Sequence, residues 1–301
     1  MAAYSSLFKG VVSDENIREN EPMSRHTTFK TGGSADLMLL PTSEDELLEA
    51  VKLCSENSLP YLIIGNGSNL LVTDKGIRGV VIKLGRDFAK IDVEGNVISA
   101  QAGALLSATA NAALKAELSG MEFAAGIPGT VGGAVCMNAG AYGGELKDII
   151  KEVRVLDKDE VKTLSNTQAG FVYRGSRIMN EGMIVLSAVF ELEKGSKEDI
   201  RSLMDDYSQR RRSKQPLDRP SAGSTFKRPE GDFAGRLIEA AGLKGCSIGG
   251  AKVSDKHCGF IINDGGASST DILELIDFVR KKVYESSGVM LEPEVRIIGE
   301  L

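Results

Sequence analysis

The sequence predicts an α/β (α+β) fold in two parts, a larger α/β domain followed by a smaller α+β domain. Three observations predict it. Strands and helices alternate over about the first two hundred residues, glycine-rich turns follow strands there, and beyond 193–199 the pattern changes to helices and loops. The 301 residues are 42% hydrophobic, which is enough to form the cores of about two domains.

A helix that leads into a strand begins the first part. Ser43 and Glu46 have the spacing of a helix-capping box within the segment 41–60. The apolar positions behind them recur at helical spacing: Leu47, Val51 and Cys54. The apolar run YLIIG at 61–65 follows and predicts a strand.

The rest of the first part is predicted from apolar runs that glycine and polar residues separate. Strands are expected at GVVIKL (79–84), NVISAQAG (96–103) and MIVLSAVFEL (183–192), with a helix near 105–118. Strands that alternate with helices are typical of an α/β domain.

The polar stretch EKGSKED at 193–199 marks the change to the second part. A charged helix, a loop and the short helix DFAGRLIEAAG (232–242) follow, and then the helix TDILELIDFVRKKVYESSG (270–288). This last helix has one apolar stripe and a glycine stop: Ile272, Leu275, Ile276, Val279, Val283 and Gly288. We therefore expect a first domain at 1–199, with its core at 29–194, and a second at 200–301.

Charge and cysteine content argue against several classes of protein. The net charge of −6 argues against a nucleic-acid partner held by a basic surface. Local cations could still bind small anions, and the densest run is Arg210, Arg211, Arg212 and Lys214. The four cysteines form no CxxC pair and the two histidines are far apart, so neither a zinc site nor a disulfide framework is indicated.

No segment of the sequence indicates a membrane. The amino terminus has no basic segment followed by an apolar run, and no stretch approaches the roughly 18 apolar residues of a spanning helix. We therefore expect a cytoplasmic protein in a reducing compartment, with no membrane partner. The expected oligomeric state is a monomer.

Two glycine-rich segments carry the first chemical signal. In IIGNGSNLLV (63–72) the chain turns at Gly65 and Gly67, where backbone N–H groups can approach an anion closely. It is not the dinucleotide fingerprint, because Leu70 occupies the place of the third glycine. The segment 126–145 contains seven glycines. Each alone is read as a tight loop, but together they suggest a surface for a large flat or phosphorylated cofactor.

Five motifs follow one another along most of the chain. They are GNGSNLLV, EFAAGIPGTVGGAVCMNAGAYGGE, YRGS (173–176), SAGSTFKRP and LEPEVRIIG (291–299). In order and spacing they resemble the UDP-N-acetylenolpyruvoylglucosamine reductase family, also named UDP-N-acetylmuramate dehydrogenases. The resemblance extends from about RHTTFKTGG to the end of the sequence.

The resemblance implies a flavoprotein of bacterial peptidoglycan synthesis. A two-part FAD-binding α/β domain of the vanillyl-alcohol-oxidase-like type, at 1–199, would hold non-covalent FAD. The smaller α+β domain at 200–301 would bind the UDP-sugar substrate, with NADPH as reductant. The reaction would reduce the enolpyruvyl ether of UDP-N-acetylglucosamine to UDP-N-acetylmuramate, a step in cell wall biogenesis on which cell shape, cell division and the cell cycle depend. The short span between Tyr173 and Ser224 resembles the branch of the family that lacks an extra substrate-capping tyrosine loop.

The matching motif positions imply the site residues. The positions implied in binding FAD are Gly65, Asn66, Gly67, Ser68, Asn69, Gly126, Ile127, Gly129, Thr130, Gly132, Gly133, Ala134, Asn138 and Gly140. Arg174 matches the family's arginine, Glu294 its glutamate and Ser224 its proton donor. A hydride added to the methylene carbon leaves negative charge beside the substrate carboxylate, which a cation and an acid would stabilise before a proton arrives.

Cations near Ser224 form a neighbourhood that suits a diphosphate. Lys227 and Arg228 follow it, and Arg212 and Lys214 precede it. The expected substrate contacts are Tyr173, Lys214, Lys227, Arg228 and His257.

Each candidate residue also has a structural interpretation. Arg174 could be a surface ion-pair residue, Ser224 could cap a turn, the cations could form a solvated face, and His257 could be structural. Glu292 and Glu294 lie on the same face of a strand-like run. Periodicity does not separate these two glutamates, and only the resemblance selects Glu294.

Two other functions stay open at this point. A flavin-dependent oxidase of another sugar or alcohol would keep the fold, although in GGAVCMNAGAYG only Cys136 could attach a flavin covalently. A nucleotide-sugar-binding protein without catalysis would lack the flavin altogether.

Overall fold

The computed structural model describes residues 4–300, which divide into two compact units. The first unit contains the described residues up to Glu19, together with Leu37–Asn66 and Val80–Arg211. The second unit contains Asn20–Asp36, Gly67–Gly79 and the described residues from Arg212 onward.

Helices form at all five places where the sequence predicts them. Within the described residues the α-helices are α1 (Glu44–Glu56), α2 (Leu106–Lys115), α3 (Val131–Cys136), α4 (Asn166–Ala169), α5 (Arg177–Asn180), α6 (Lys197–Lys214), α7 (Ala234–Ala240) and α8 (Ser269–Ser287). The short helix α3 lies inside the glycine-rich segment and was not expected from the sequence.

The strands are short and numerous. They are β1 (Ile17–Pro22), β2 (Ser34–Leu39), β3 (Tyr61–Ile64), β4 (Leu70–Val72), β5 (Ile77–Lys83), β6 (Ile91–Glu94), β7 (Val97–Gln101), β8 (Leu118–Ser119), β9 (Gly140–Ala141), β10 (Gly144–Glu145), β11 (Ile150–Asp157), β12 (Glu160–Ser165), β13 (Ile184–Glu191), β14 (Glu193–Lys194), β15 (Ser247–Ile248), β16 (Ala251–Val253), β17 (Ile261–Asn263) and β18 (Arg296–Ile298).

Parallel and antiparallel pairing both occur, as the predicted α/β (α+β) class requires. An antiparallel five-stranded sheet has the order β12-β11-β13-β7-β6. A four-stranded sheet has the order β1-β2-β5-β3, in which β3 and β5 run parallel. In the second unit β15, β16 and β17 form an antiparallel sheet, and β18 pairs in parallel with β4.

The cap of α1 differs in one detail from the predicted box. The Ser43 hydroxyl accepts from the Glu46 N–H, as expected. The Glu46 carboxylate, however, accepts from the N–H and the hydroxyl of Thr42, at 2.7 and 3.0 Å. The two sets of hydrogen bonds fix the first turn of α1. Glu46 bonds Thr42, one residue before the Ser43 that it would bond in a standard capping box. The predicted apolar face of α1 is buried.

The first core extends further along the chain than the predicted cut at residue 200. Ile200 and Met204 of α6 are buried in it, at 4% and 8% exposure. Since apolar burial holds a helix to the core that it joins, the compact unit continues to Arg211. The assignment of 1–199 to the cofactor and 200–301 to the substrate stays a prediction.

The second core includes the helix that the sequence predicted best. The five apolar residues of the α8 stripe are all buried at 2% exposure or less. The Ser268 hydroxyl accepts from the Asp271 N–H, and the Asp271 carboxylate accepts from the Ser268 N–H, which completes a capping box. Gly288 ends the helix in the left-handed conformation, with a φ of 73°.

Three kinds of feature are absent from residues 4–300. No helix there is long and apolar enough to cross a membrane. No group of three or more histidine, cysteine or acidic residues could hold a metal ion there. None of the four cysteines, all of which lie in this range, forms a disulfide.

Candidate active site

The two glycine-rich turns contact each other in the first unit. Asn66 Nδ2 donates to the Pro128 carbonyl at 2.6 Å. A Cβ on Gly65 would overlap the hydroxyl of Thr130, which is itself buried. Only glycine permits this approach. Residues 65–66 and 126–133 therefore form one surface, which we call the glycine surface.

The first turn of α3 closes the glycine surface on one side. The Val131 N–H donates to the Ala104 carbonyl and the Gly132 N–H donates to the Ala102 carbonyl, both at 2.8 Å. Gly133 is exposed, and a Cβ there would have only one atom, a threonine hydroxyl, within 4 Å, at 3.8 Å. The backbone is therefore open to a flat group lying across both turns. The residues present fit the FAD that the resemblance implies.

Three of the implied cofactor residues lie in the second unit. Gly67 has a φ of 62°, and a Cβ there would overlap the His26 carbonyl oxygen. Asn69, which follows Gly67 and Ser68, donates through Nδ2 to the Glu294 carbonyl at 3.1 Å. The side chain of Asn69 therefore helps to hold the segment that contains Glu294.

Two of the residues implied as FAD contacts, Asn138 and Ala134, have side chains buried in protein, and their contact with FAD stays a prediction. Asn138 has no exposed surface, and its amide is bonded to three protein groups. Ala134 is 4% exposed and packs in the first core.

Arg174 lies in a tight turn of the first unit. Val172 and Gly175 exchange two backbone hydrogen bonds, at 3.0 and 3.3 Å, on either side of it. Its φ of 56° is left-handed, a region that residues with a Cβ seldom adopt. Its Nη2 donates to the Gly140 carbonyl at 3.1 Å, and its guanidinium lies 5.0 Å from the centre of the Tyr173 ring. Arg174 therefore contacts the end of the glycine-rich segment.

Glu145 adds negative charge beside Arg174. A hydrogen bond from Lys147 lowers the pKa of Glu145 most, and Asn138 and Arg174 lower it further. The carboxylate is therefore ionised at neutral pH next to the guanidinium.

Thr225, the residue after Ser224, joins three segments of the second unit. Its N–H donates to the Gly259 carbonyl, and its carbonyl accepts from the Glu294 N–H, both at 2.8 Å. Its hydroxyl accepts from the Ile261 N–H at 2.9 Å. Thr225 is 1% exposed whereas Ser224 is exposed. The Ser224 backbone is thus fixed while its side chain stays accessible.

The structure separates the two glutamates that periodicity left equivalent. Glu292 is exposed, and its carboxylate pairs with Lys227 at 3.1 Å. Glu294 is half-buried, and its backbone is bonded to both Thr225 and Asn69. The strand itself begins only at Arg296. Its half-buried place therefore favours Glu294 over Glu292 as the site residue, as the resemblance does.

His257 lies in the loop that contacts Thr225. Its Nδ1 accepts from the Gly259 N–H at 3.1 Å, and its ring meets Phe260 edge to face. Burial lowers the pKa of His257, so the ring is neutral at pH 7. His257 is therefore held by its own loop, two residues from the carbonyl that fixes Thr225.

The cations expected to contact a diphosphate lie at the surface of the second unit. Lys214 is exposed at the end of α6, and Lys227 pairs with Glu292. The Arg228 guanidinium lies 4.1 Å from the centre of the Phe233 ring. Exposed ion pairs contribute little to stability, so a phosphate could displace them. Their contact with substrate stays a prediction.

The implied residues thus form one group in each unit. In the first unit the structure brings together the glycine surface, and Arg174 with Tyr173 and Gly140. In the second unit it brings together the segments of Ser224, Glu294 and His257.

Sequence reasoning missed two residues that these groups depend on. Thr225 received no role from the sequence. Its hydrogen-bond partners are too distant in sequence to leave a local pattern. Arg211 lies against Gly126, where a Cβ would be 3.0 Å from its Nη1, and burial lowers its pKa. In the sequence it is hidden in a run of arginines that suggests only a solvated face.

Two family models match separate parts of the chain. Residues 35–164 match a family described as an FAD binding domain. Residues 215–298 match the C-terminal domain of UDP-N-acetylenolpyruvoylglucosamine reductase.

Curated relatives match nearly the whole chain. The UDP-N-acetylenolpyruvoylglucosamine reductase of Clostridioides difficile (strain 630) is 54% identical over 291 residues, 96% of each chain. The protein of the same name from Caldanaerobacter subterraneus subsp. tengcongensis is 54% identical over 293 residues, 97% of each chain.

Solved structures agree with these relatives. The crystal structure of UDP-N-acetylenolpyruvylglucosamine reductase from Thermus caldophilus aligns with a TM-score of 0.81 at 37% identity, over 93% of this chain and 97% of that one. An alkyldihydroxyacetonephosphate synthase aligns with a TM-score of 0.50 at 17% identity, over 63% of this chain and 40% of that one. The second likeness concerns the fold alone.

Proposed function

The chain belongs to the UDP-N-acetylenolpyruvoylglucosamine reductase family, and we propose that Arg174, Ser224 and Glu294 carry out its reaction. The protein is an FAD-dependent oxidoreductase that takes a UDP-sugar and NADPH in peptidoglycan synthesis. The reaction reduces the enolpyruvyl ether of UDP-N-acetylglucosamine to UDP-N-acetylmuramate. When bound, FAD accepts a hydride from NADPH and supplies it to the substrate.

Arg174 and Glu294 are proposed to bind and orient the enolpyruvyl carboxylate. Addition of hydride to the methylene carbon places negative charge on the adjacent carbon and the carboxylate. A guanidinium stabilises that charge most when the surroundings already fix its position. The bond to the Gly140 carbonyl supports this role for Arg174, and the backbone bonds of Glu294 support the same role for its segment.

Ser224 is proposed to hold the proton that completes the reaction. A serine hydroxyl is a weak acid, so it donates only to a strongly basic acceptor such as the developing carbanion. Gly223 before it has a φ of 78°, and Thr225 after it is buried. These neighbours leave the hydroxyl at an exposed point on a fixed backbone.

One observation carries the proposal furthest. Thr225 is bonded to Glu294, Gly259 and Ile261 at once, so the proposed proton donor and the proposed glutamate share one rigid connection. Buried polar groups such as those of Thr225 are normally hydrogen-bonded, and here these bonds fix the backbone next to Ser224. This supports the proposed proton-donor role of Ser224.

Substrate contacts beyond the reacting carbons are proposed from charge. Lys214, Lys227 and Arg228 would bind the diphosphate, while Tyr173 and His257 would contact other parts of the UDP-sugar. FAD is proposed to be non-covalent, as the family resemblance implies. We further propose a cytoplasmic monomer that requires neither membrane nor nucleic acid.

The test separates the two halves of the catalytic cycle. NADPH should reduce the flavin of the Ser224→Ala variant anaerobically at nearly the wild-type rate, but the enolpyruvyl substrate should not reoxidise it. Ser221→Ala, three residues earlier, is the matched control and should complete both half-reactions. Equal loss of both half-reactions in Ser224→Ala would contradict the proton-donor role.

Two further observations distinguish the alternative functions. An oxidase would turn over with oxygen once air is admitted, and the enolpyruvyl substrate would not reoxidise its flavin anaerobically. A binding protein without catalysis would contain no flavin. The relatives described above are reductases, and denaturation of this protein should release free FAD.

A further inference from the structure

The turn that carries Arg174 does not hold its conformation by local geometry alone. Arg174 is the third residue of the Val172–Gly175 turn, where a positive φ is required and glycine is the usual residue. A residue with a Cβ stays in such a conformation only when its surroundings impose it. Contacts from outside the turn must therefore hold it.

The buried amide of Asn138 supplies those contacts. Asn138 Nδ2 donates to the Val172 carbonyl at 3.0 Å and to Glu145 Oε2 at 2.9 Å. Its Oδ1 accepts from the Lys147 N–H at 2.9 Å. The amide has used both of its N–H donors and its oxygen on three groups in two separate segments of chain.

The same amide fixes the acceptor of the Arg174 side chain. Glu145 and Lys147 lie at the end of the hairpin formed by β9 and β10. That hairpin contains Gly140, whose carbonyl accepts from Arg174 Nη2 at 3.1 Å. Asn138 thus links the backbone of the arginine turn to the group that its guanidinium contacts.

The chemistry of the connection requires an amide. Two donors and one acceptor are used, and the residue has no exposed surface. An aspartate of the same size would place a second carboxylate beside Glu145, which is itself ionised, and would lose both donors. A glutamine would not fit the same closed space, because it is one methylene longer.

We propose that Asn138 is a positioning residue that holds Arg174 in its reactive orientation. Because Asn138 is enclosed by protein, the proposed role is exerted through the turn and the hairpin. The inference rests on the proposed role of Arg174 in binding the enolpyruvyl carboxylate.

The test compares three flavin-loaded variants in the two half-reactions. Asn138→Ala should reduce the rate of flavin reoxidation by substrate about a hundredfold, the loss that follows from misplacing a catalytic group by about 1 Å. Flavin reduction by NADPH should change less than about threefold. Asn166→Ala is the matched control, because Asn166 Nδ2 also donates to two carbonyls of the first unit, those of Lys147 and Ile150, but makes none of these contacts with the Arg174 turn.

The pH dependence of Asn138→Asp gives a readout that a purely structural role would not produce. A protonated aspartic acid can donate one hydrogen bond to the Val172 carbonyl, whereas the carboxylate cannot. Burial and the neighbouring Glu145 raise the pKa of a carboxyl group introduced there, against the opposing effect of the Lys147 and Arg174 cations beside Glu145. Reoxidation by Asn138→Asp should therefore recover as the pH is lowered, while that of Asn138→Ala should not.

Several results would overturn the inference. The first two concern Asn138→Ala: a wild-type rate of flavin reoxidation, or an equal loss of rate in both half-reactions. The others are a selective loss of reoxidation in Asn166→Ala, or a reoxidation rate of Asn138→Asp that does not change with pH. If Asn138→Ala does not fold, Asn138→Asp decides, and failure of both to fold would indicate a global structural role. Arg174→Met is measured alongside. If the substrate reoxidises the flavin of Arg174→Met at the wild-type rate, the proposed role of Arg174 fails. If Arg174→Met is slow and Asn138→Ala is normal, only the inference about Asn138 is refuted.

Discussion

At position 174 a glycine variant should be more stable than an alanine variant, which is the reverse of the usual order. The φ of 56° at Arg174 places the backbone in the left-handed region, where a Cβ crowds the following carbonyl oxygen. Replacement by alanine keeps that crowding, and replacement by glycine removes it. Both variants lose the bond to the Gly140 carbonyl and the contact with the Tyr173 ring, so these losses cancel in the comparison.

The expected difference in the free energy of unfolding between the two variants follows from two opposing contributions. The left-handed conformation costs a residue with a Cβ about 1–2 kcal/mol. Glycine loses about 0.5–1 kcal/mol more conformational entropy than alanine when the chain folds. The free energy of unfolding should therefore be about 0.5–1 kcal/mol larger for Arg174→Gly than for Arg174→Ala.

The assay is urea unfolding of the flavin-loaded variants, followed by circular dichroism. Arg201 is the control position, since it lies exposed within α6. There alanine should be more stable than glycine by about 1 kcal/mol. Neither Arg174 variant should be reoxidised by the enolpyruvyl substrate, because both lack the guanidinium.

The result that would refute the reasoning is the ordinary order at position 174. If Arg174→Ala unfolds at a higher urea concentration than Arg174→Gly, the turn does not require a positive φ. The backbone at Arg174 would then not be strained, and contacts from outside the turn would not be needed to hold it.

Three further predictions concern stability. Ser268→Ala removes the cap of α8 and should cost about 1 kcal/mol in urea unfolding; a cost below about 0.3 kcal/mol would show that the cap is not needed. Gly67→Ala should destabilise by at least about 2 kcal/mol in the same assay, because its Cβ would overlap the His26 carbonyl oxygen at a φ of 62°; an unchanged midpoint would contradict that geometry. Burial lowers the pKa of His257, so below about pH 6.5 the unfolded chain binds the proton more readily and stability falls as the pH falls. Between pH 7 and 5.5 the urea midpoint of His257→Gln should fall less than that of the wild type, and an equal fall would refute the link to His257.

Local elements were predictable because their signals are local. The apolar stripe of α8, its glycine stop and the Ser43 cap each depend on residues within a few positions of one another. The strands around 61–65 and 183–192 were predicted for the same reason. The helix α3 was missed, since glycine has a low helix propensity and two of its six residues are glycine.

The candidate site was only partly predictable. Glycines that permit close approach were visible in the sequence, and the bond between Asn66 and Pro128 agrees with the expected meeting of the two segments. The motif position of Asn138 implied a contact with FAD, which stays a prediction, whereas its hydrogen bonds within the protein were not visible in the sequence. Its partner Val172 lies 34 positions away, a separation that leaves no local pattern.

By itself, the sequence determined the α/β class, the order of the main helices and strands, and five motifs that identify the family. Local periodicity and residue type are sufficient for these, because they depend on neighbouring residues. Only the tertiary structure decided that Glu294 is half-buried and bonded to Thr225 while Glu292 is exposed, that α6 joins the first core, and that residues 20–36 and 67–79 belong to the second unit. Those facts depend on hydrogen bonds and apolar contacts between distant segments, which form only when the whole chain folds.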